Sequence, residues 1–148
     1  MKKQFSLLEG FIEQGDVLNE SVSASPVIWH VAHSIKVINS ISKALKNSNP
    51  DDYKPRFNLM STIVLSAGTI PRGRGKAPKR SMPDDNIDVV QLKQYLEKAK
   101  EEFKNLKKLD AKSYFDHPYF GQLNLKKTRR FIRIHTKHHI KIIQDIIK

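Results

Sequence analysis

Cysteine is absent from this sequence. Disulfides, thiolate metal ligands supplied by the protein and a cysteine nucleophile are therefore excluded together. A metal bound by such a chain must be held by histidine, carboxylate, carbonyl or water. A long apolar run is missing too, since nothing approaches the roughly 18 apolar residues of a membrane span. The opening stretch MKKQFSLLEGFIEQ begins with lysines, but Glu9 and Glu13 interrupt its apolar positions in a way that a signal peptide does not tolerate. The expectation is a soluble, cytoplasmic protein. Negative charge is scarce as well: 15 Asp+Glu stand against 27 Lys+Arg, a formal net charge of +12. That excess permits nucleic acid, anionic lipid or an acidic small molecule as partner, without choosing among them.

With 148 residues the chain reads as one domain, 1–148, long enough to bury a core without metal or disulfide staples. Phe5, Leu8, Phe11 and Ile12 fall at helical spacing and predict a first helix from about Lys3 to the Gly15-Asp16 break. In the second, Ser25 is placed to cap and Pro26 suits the first turn. Val27, His30, Ser34, Val37, Ile41 and Leu45 then form a stripe that runs to Asn49-Pro50. The segment NLMSTIVLSAGTI is apolar enough for a buried helix or a strand, and its helical flanks favour a helix. PRGRGKAPKRSMPDDN is dense in proline, glycine and cations and predicts a long crossover loop or lid. A charged helix follows from Asp88 to Leu109, with Val89, Leu92, Leu96, Ala99, Phe103 and Leu106 inside. YFDHPYFGQLN reads as a loop with aromatic anchors, after which Asn124 caps a last helix.

That last helix, LKKTRRFIRIHTKHHIKIIQDIIK, places Thr128, Ile132, His135, His139, Ile142 and Ile146 along one side. Two histidines at i and i+4 can direct ring nitrogens at one point, as helical metal sites do. The bland alternative is a pair of buried histidines satisfied by hydrogen bonds. His30 lies inside the apolar arc of the second helix, where it could reach the same point. His33 competes as ligand, but at about 100° per residue it falls with Trp29, Lys36 and Ser40 at the edge of that arc, and so reads as a residue behind the ligands or at the surface. His138 sits to one side of its stripe, and His117 either faces the metal or orders its own loop. Three neutral imidazoles suit Zn²⁺ or Ni²⁺ better than Mg²⁺ or Ca²⁺.

Several other chemistries are excluded by single positions. Thr136 follows His135 where a zincin needs its glutamate base, and no Glu-x-x-His pair exists for a di-iron site. In AGTIPRGRGKAPKR, Ile70 stands where a phosphate loop needs glycine, and Ala77 follows Lys76 where it needs Ser or Thr. Arg72, Arg74, Lys76, Lys79 and Arg80 remain candidates for holding an anion, against the plainer reading of a solvated loop. Aromatic residues are not interleaved with Lys126, Lys127, Arg129, Arg130 and Arg133 in the way a single-strand platform needs, so specific nucleic-acid binding is not expected.

With WHVAHS in the second helix, HPYFGQL before the last and HTKHH within it, the chain resembles the DinB-like metal-binding superfamily, in particular a small branch without an assigned function. The resemblance implies an all-α fold, a four-helix bundle with one long crossover loop. It also implies a metal held by one histidine of the second helix and an H-x-x-x-H pair of the last, which here are His30, His135 and His139. Characterised relatives include transferases and isomerases that use bacillithiol, mycothiol or glutathione. By that resemblance the expectation is a metal-dependent, thiol-using transferase or a related hydrolase acting on a small molecule. The alternative is a noncatalytic metal-binding protein that meets an anionic partner. Relatives often form homodimers.

Overall fold

The computed structural model describes residues 1–73, 78–84 and 86–148. Among them the chain forms five α-helices: α1 (Lys2–Phe11), α2 (Val27–Asn47), α3 (Leu59–Ala67), α4 (Val89–Asn105) and α5 (Leu125–Ile146). Two short strands, β1 (Tyr114–His117) and β2 (Gly121–Asn124), lie between α4 and α5. No helix among the described residues is long and apolar enough to cross a membrane.

The helix ends follow local chemistry. α1 tightens into a 3₁₀ turn over Ile12–Gln14 before Gly15, close to the expected break. α2 begins at Pro26 without a side-chain cap. Ser25, expected to cap it, turns its backbone N–H to the Ser23 hydroxyl instead, at 3.2 Å. Asp88 caps α4 by accepting from Val90 and Gln91 N–H at 2.8 and 3.1 Å. Asn124 caps α5 by accepting from Lys127 N–H at 3.0 Å, as its position predicts.

Two segments depart further from expectation. The segment before the crossover is a helix, but not a buried one. Asn58 caps it, Gly68 ends it with φ of 67°, and only Ser61, Val64 and Leu65 face inward. Leu59, Met60 and Ile63 are exposed because α3 packs against α5 through one side only. The stretch YFDHPYFGQLN is an antiparallel hairpin with His117 opposite Gly121 and Tyr114 opposite Asn124. Its turn works because His117 Nδ1 accepts from Tyr119 and Phe120 N–H at 3.1 and 3.2 Å. Gly121 then takes the left-handed φ of 66° that a three-residue hairpin loop needs.

The core lies where α2 meets α5 and α4, and α1 closes it against the same helices. Leu92, Leu96, Ala99, Phe103 and Leu106 point into it as predicted, while Val89 stays exposed at the helix start. Ile35, Ile38 and Leu45 of α2 and Ile132 and Ile143 of α5 have almost no contact with solvent. Urea unfolding should find Ile143→Ala about 2–5 kcal/mol less stable than the parent, because the lost methylenes leave a cavity. Asn124→Ala should lose about 1 kcal/mol through the uncapped first turn. Stability equal to the parent in either variant would show that the contact carries no weight.

Candidate metal centre

Four of the six histidines meet where α2 crosses α5. His33, His135 and His139 form the compact set: each offers one ring nitrogen, and these nitrogens lie within 4.8 Å of one another. Ring centroids are 4.7 Å apart for His33 and His139, 4.6 Å for His135 and His139, and 5.1 Å for His33 and His135. His33 Nε2 and His135 Nε2 are separated by 3.3 Å. Two imidazoles at adjacent corners of a tetrahedral zinc site, with Zn–N of about 2.0–2.1 Å, place their nitrogens roughly 3.3–3.4 Å apart. The pair is already spaced for a shared cation.

The helix-2 member differs from the one that the sequence favours. His33 is 2% exposed, not a surface residue at the edge of the arc. Helical phase does place it off the main stripe, but that edge is covered by the crossover, whose Ser81 carbonyl accepts from His33 Nδ1 at 2.8 Å. A ring that gives its Nδ1–H to a carbonyl has its lone pair on Nε2, the nitrogen facing His135. Trp29, one turn earlier, stacks on His33 at 5.0 Å and 8° and fixes the ring plane. His30 lies one step outside the compact set, with its Nδ1 3.0 Å from His139 Nδ1 and its Nε2 3.0 Å from Ser23 Oγ.

Electrostatics favour the neutral, ligating form throughout. Burial, reinforced by the neighbouring histidines, holds His135 and His139 well below the ordinary imidazole range. Burial also lowers His33, although the Ser81 carbonyl pulls the other way. His30 is pushed down to about 4, chiefly by burial and then by His33. Metal ligation needs a deprotonated ring, so no proton has to leave these sites at neutral pH. His135 Nδ1 is sealed from solvent and has no hydrogen-bond partner. Such an orphan costs about 1–3 kcal/mol, and because Nε2 is the nitrogen that faces His33, a cation shared there would not satisfy it.

The remaining candidates are spread around this centre. His138 stands beside His139, with ring centroids 5.2 Å apart, and is lowered by burial and by Arg72 while the Ile70 carbonyl raises it. His117 orders the hairpin turn, stacks on Phe120 at 4.2 Å and packs edge-on to Phe131, which itself packs near His135. Arg72 is paired with Asp145 at 2.7 Å. Lys79 and Arg80 are exposed in a 3₁₀ turn of the crossover, and Arg74 and Lys76 lie outside the described residues. Ser23, Trp29 and the Ser81 carbonyl were not singled out from the sequence. Only Trp29 had a readable signal, its i,i+4 spacing to His33.

The depressed histidines make the metal-free protein acid-sensitive. His30 and His117 both sit at about 4 in the folded chain against 6.5 for a free ring. The unfolded chain binds these protons first, so their stabilising contribution is full above about 6.5 and drains away as pH falls toward about 4. Chelator-treated protein should therefore unfold at progressively lower urea across that window. His117→Asn keeps an acceptor for the turn amides without the titration, and should flatten the slope. An unchanged slope would show that this ring titrates alike in both states.

No curated protein and no solved structure matches the chain. One family model does, that of "Protein of unknown function (DUF1569)", over residues 53–145. The match takes in the hairpin, α4 and the His135–His139 pair and begins after the α2 histidines. It spans more than half of the sequence, and the chain therefore belongs to the DUF1569 family of proteins of unknown function.

Proposed function

We propose that this chain is a divalent-metal protein of the DinB-like kind, a four-helix bundle built from α1, α2, α4 and α5. His33, His135 and His139 would hold Zn²⁺ or Ni²⁺. The observation that carries the reading is the convergence of three neutral imidazoles, two buried and one half-buried, with ring nitrogens within 4.8 Å, two of them spaced as neighbouring ligands. The resemblance carried by WHVAHS, HPYFGQL and HTKHH supports a metal at this place, although it puts the helix-2 ligand at His30. A divalent metal held by three neutral ligands with an open position supplies Lewis acidity, which lowers the pKa of a thiol or a water. The chain's own residues keep the rings neutral, fix His33 through Ser81 and stack it on Trp29. The activity that fits is transfer to or from a low-molecular-weight thiol, or a related hydrolysis of a small molecule.

A second reading has its own observation. Lys126, Arg130, Arg133, Lys137 and Lys141 recur every three or four residues on the exposed side of α5. Like charges at this spacing repel, so the ridge suits an anionic partner and a noncatalytic metal-holding protein.

Protein purified without a histidine tag should contain close to one equivalent of Zn or Ni by elemental analysis, and His135→Ala should contain almost none. The single tryptophan reports the same event, since Trp29 stacks on His33. Ni²⁺ should quench its fluorescence to a one-to-one endpoint in the parent and not in His135→Ala. A parent that takes up no metal even when it is supplied would sink the proposal. In the loaded protein, a thiol at about 100 times its Kd should stabilise the fold by roughly 2.7 kcal/mol. A panel of low-molecular-weight thiols that leaves the melting temperature unmoved favours the second reading.

A further inference from the structure

The metal reading leaves His30 unassigned, although it is 4% exposed and touches the centre. Its contacts are specific. His30 Nδ1 faces His139 Nδ1 at 3.0 Å, and His30 Nε2 faces Ser23 Oγ at 3.0 Å. Two Nδ1 atoms at that distance make a hydrogen bond only if one carries the proton and the other a lone pair. The chain Ser23–His30–His139 therefore has two self-consistent directions. In one, Ser23 O–H donates to His30 Nε2, His30 Nδ1–H donates to His139 Nδ1, and His139 keeps its proton on Nε2. In the other, every proton shifts to the opposite nitrogen of its ring.

Resting on the metal reading, we infer that His30 is not a ligand but the acceptor that orients His139: His139 Nδ1–H donates to His30 Nδ1, and His30 Nε2–H donates to Ser23. This direction alone leaves the Nε2 of His139 with a free lone pair. Ligating histidines characteristically give their other N–H to an outer partner that fixes tautomer and ring orientation. A carboxylate or carbonyl usually fills that place, and here a second imidazole does. Ser23 Oγ also accepts from Ser25 N–H at 3.2 Å, which holds the hydroxyl in place as the chain's last acceptor. His33 is wired in the same manner through the Ser81 carbonyl, so the outer partner of one ligand comes from the crossover and that of the other from α2.

The test combines two variants with a measurement on the parent. His30→Asn retains an amide oxygen near the position of Nδ1, and His30→Leu retains only bulk. Zn²⁺ affinity, measured by competition with a chromophoric chelator, should fall 10–100-fold in His30→Leu, the usual effect of losing an outer partner. His30→Asn should stay within a few-fold of the parent. Nitrogen-15 NMR of the histidine rings in the Zn-loaded parent should place the proton of His139 on Nδ1 and that of His30 on Nε2, a readout that a packing role would not move. Equal, severe loss in both variants would make His30 a ligand and overturn the inference. Parent-like affinity in His30→Leu, or a His139 proton on Nε2, would overturn it as well while leaving the metal reading intact. A parent that binds no Zn²⁺ overturns the metal reading and this inference with it.

Discussion

The constraint on which the rest of the structure depends is the close packing of α2 on α5. Ile35 and Ile38 on one helix and Ile132 and Ile143 on the other are sealed from water, which makes this seam dry. Placing imidazoles within it has two consequences. A charged ring is penalised by desolvation, so the histidines are held neutral. A neutral ring has one donor and one acceptor nitrogen, so each buried ring must be wired in a definite tautomer or leave a polar atom unpaired. His33 and His30 are wired; His135 keeps an orphan Nδ1.

The wiring comes from segments that are not helical. On one side of α2, Ser23 sits in a turn closed by the N–H groups of Val22 and Ser23 bonding to the Asn19 carbonyl at 2.9 and 3.0 Å. On the other, Ser81 belongs to a 3₁₀ turn whose neighbour Met82 has its carbonyl held by Lys36 Nζ at 2.7 Å. Lys36 lies one residue-triplet after His33 on the same helix, so α2 anchors the loop that orients its own histidine. The centre is thus a property of the linkers as much as of the helices. A change in the crossover that left both helices intact would still reach His33 through that carbonyl.

This division explains what could be read in advance. Helix positions follow from apolar periodicity and caps, and the α5 pair follows from spacing alone, because both are local properties. The inward face of α4 was legible for the same reason. His33 was not: helical phase located its direction, but what covers that direction is decided by the crossover, nearly fifty residues later in sequence. The hairpin was missed because its turn is built by a histidine side chain accepting two amides, in place of the usual Asn-Gly pair. The exposed face of α3 is a third instance, since composition reports apolarity and not the neighbour that would bury it.

The same separation of local and distant contributions gives the excess positive charge a location. The acidic side chains that form ion pairs lie mainly at the periphery: Glu102 with Lys46 ties α4 to α2, Glu9 with Lys100 and Glu13 with Lys93 tie α4 to α1 and the 3₁₀ turn that follows it, and Glu97 pairs with Lys100 within α4. Each exposed pair is weak on its own. Their placement nevertheless leaves the compact histidine set without a carboxylate among the described residues. Three neutral ligands cancel none of a divalent cation's charge, so a site of this composition draws its remaining ligand from anions. Lys126, Arg130, Arg133, Lys137 and Lys141 run along the outer side of the helix that carries His135 and His139. The outer side of α5 therefore favours negative charge, while its inner side presents neutral imidazoles.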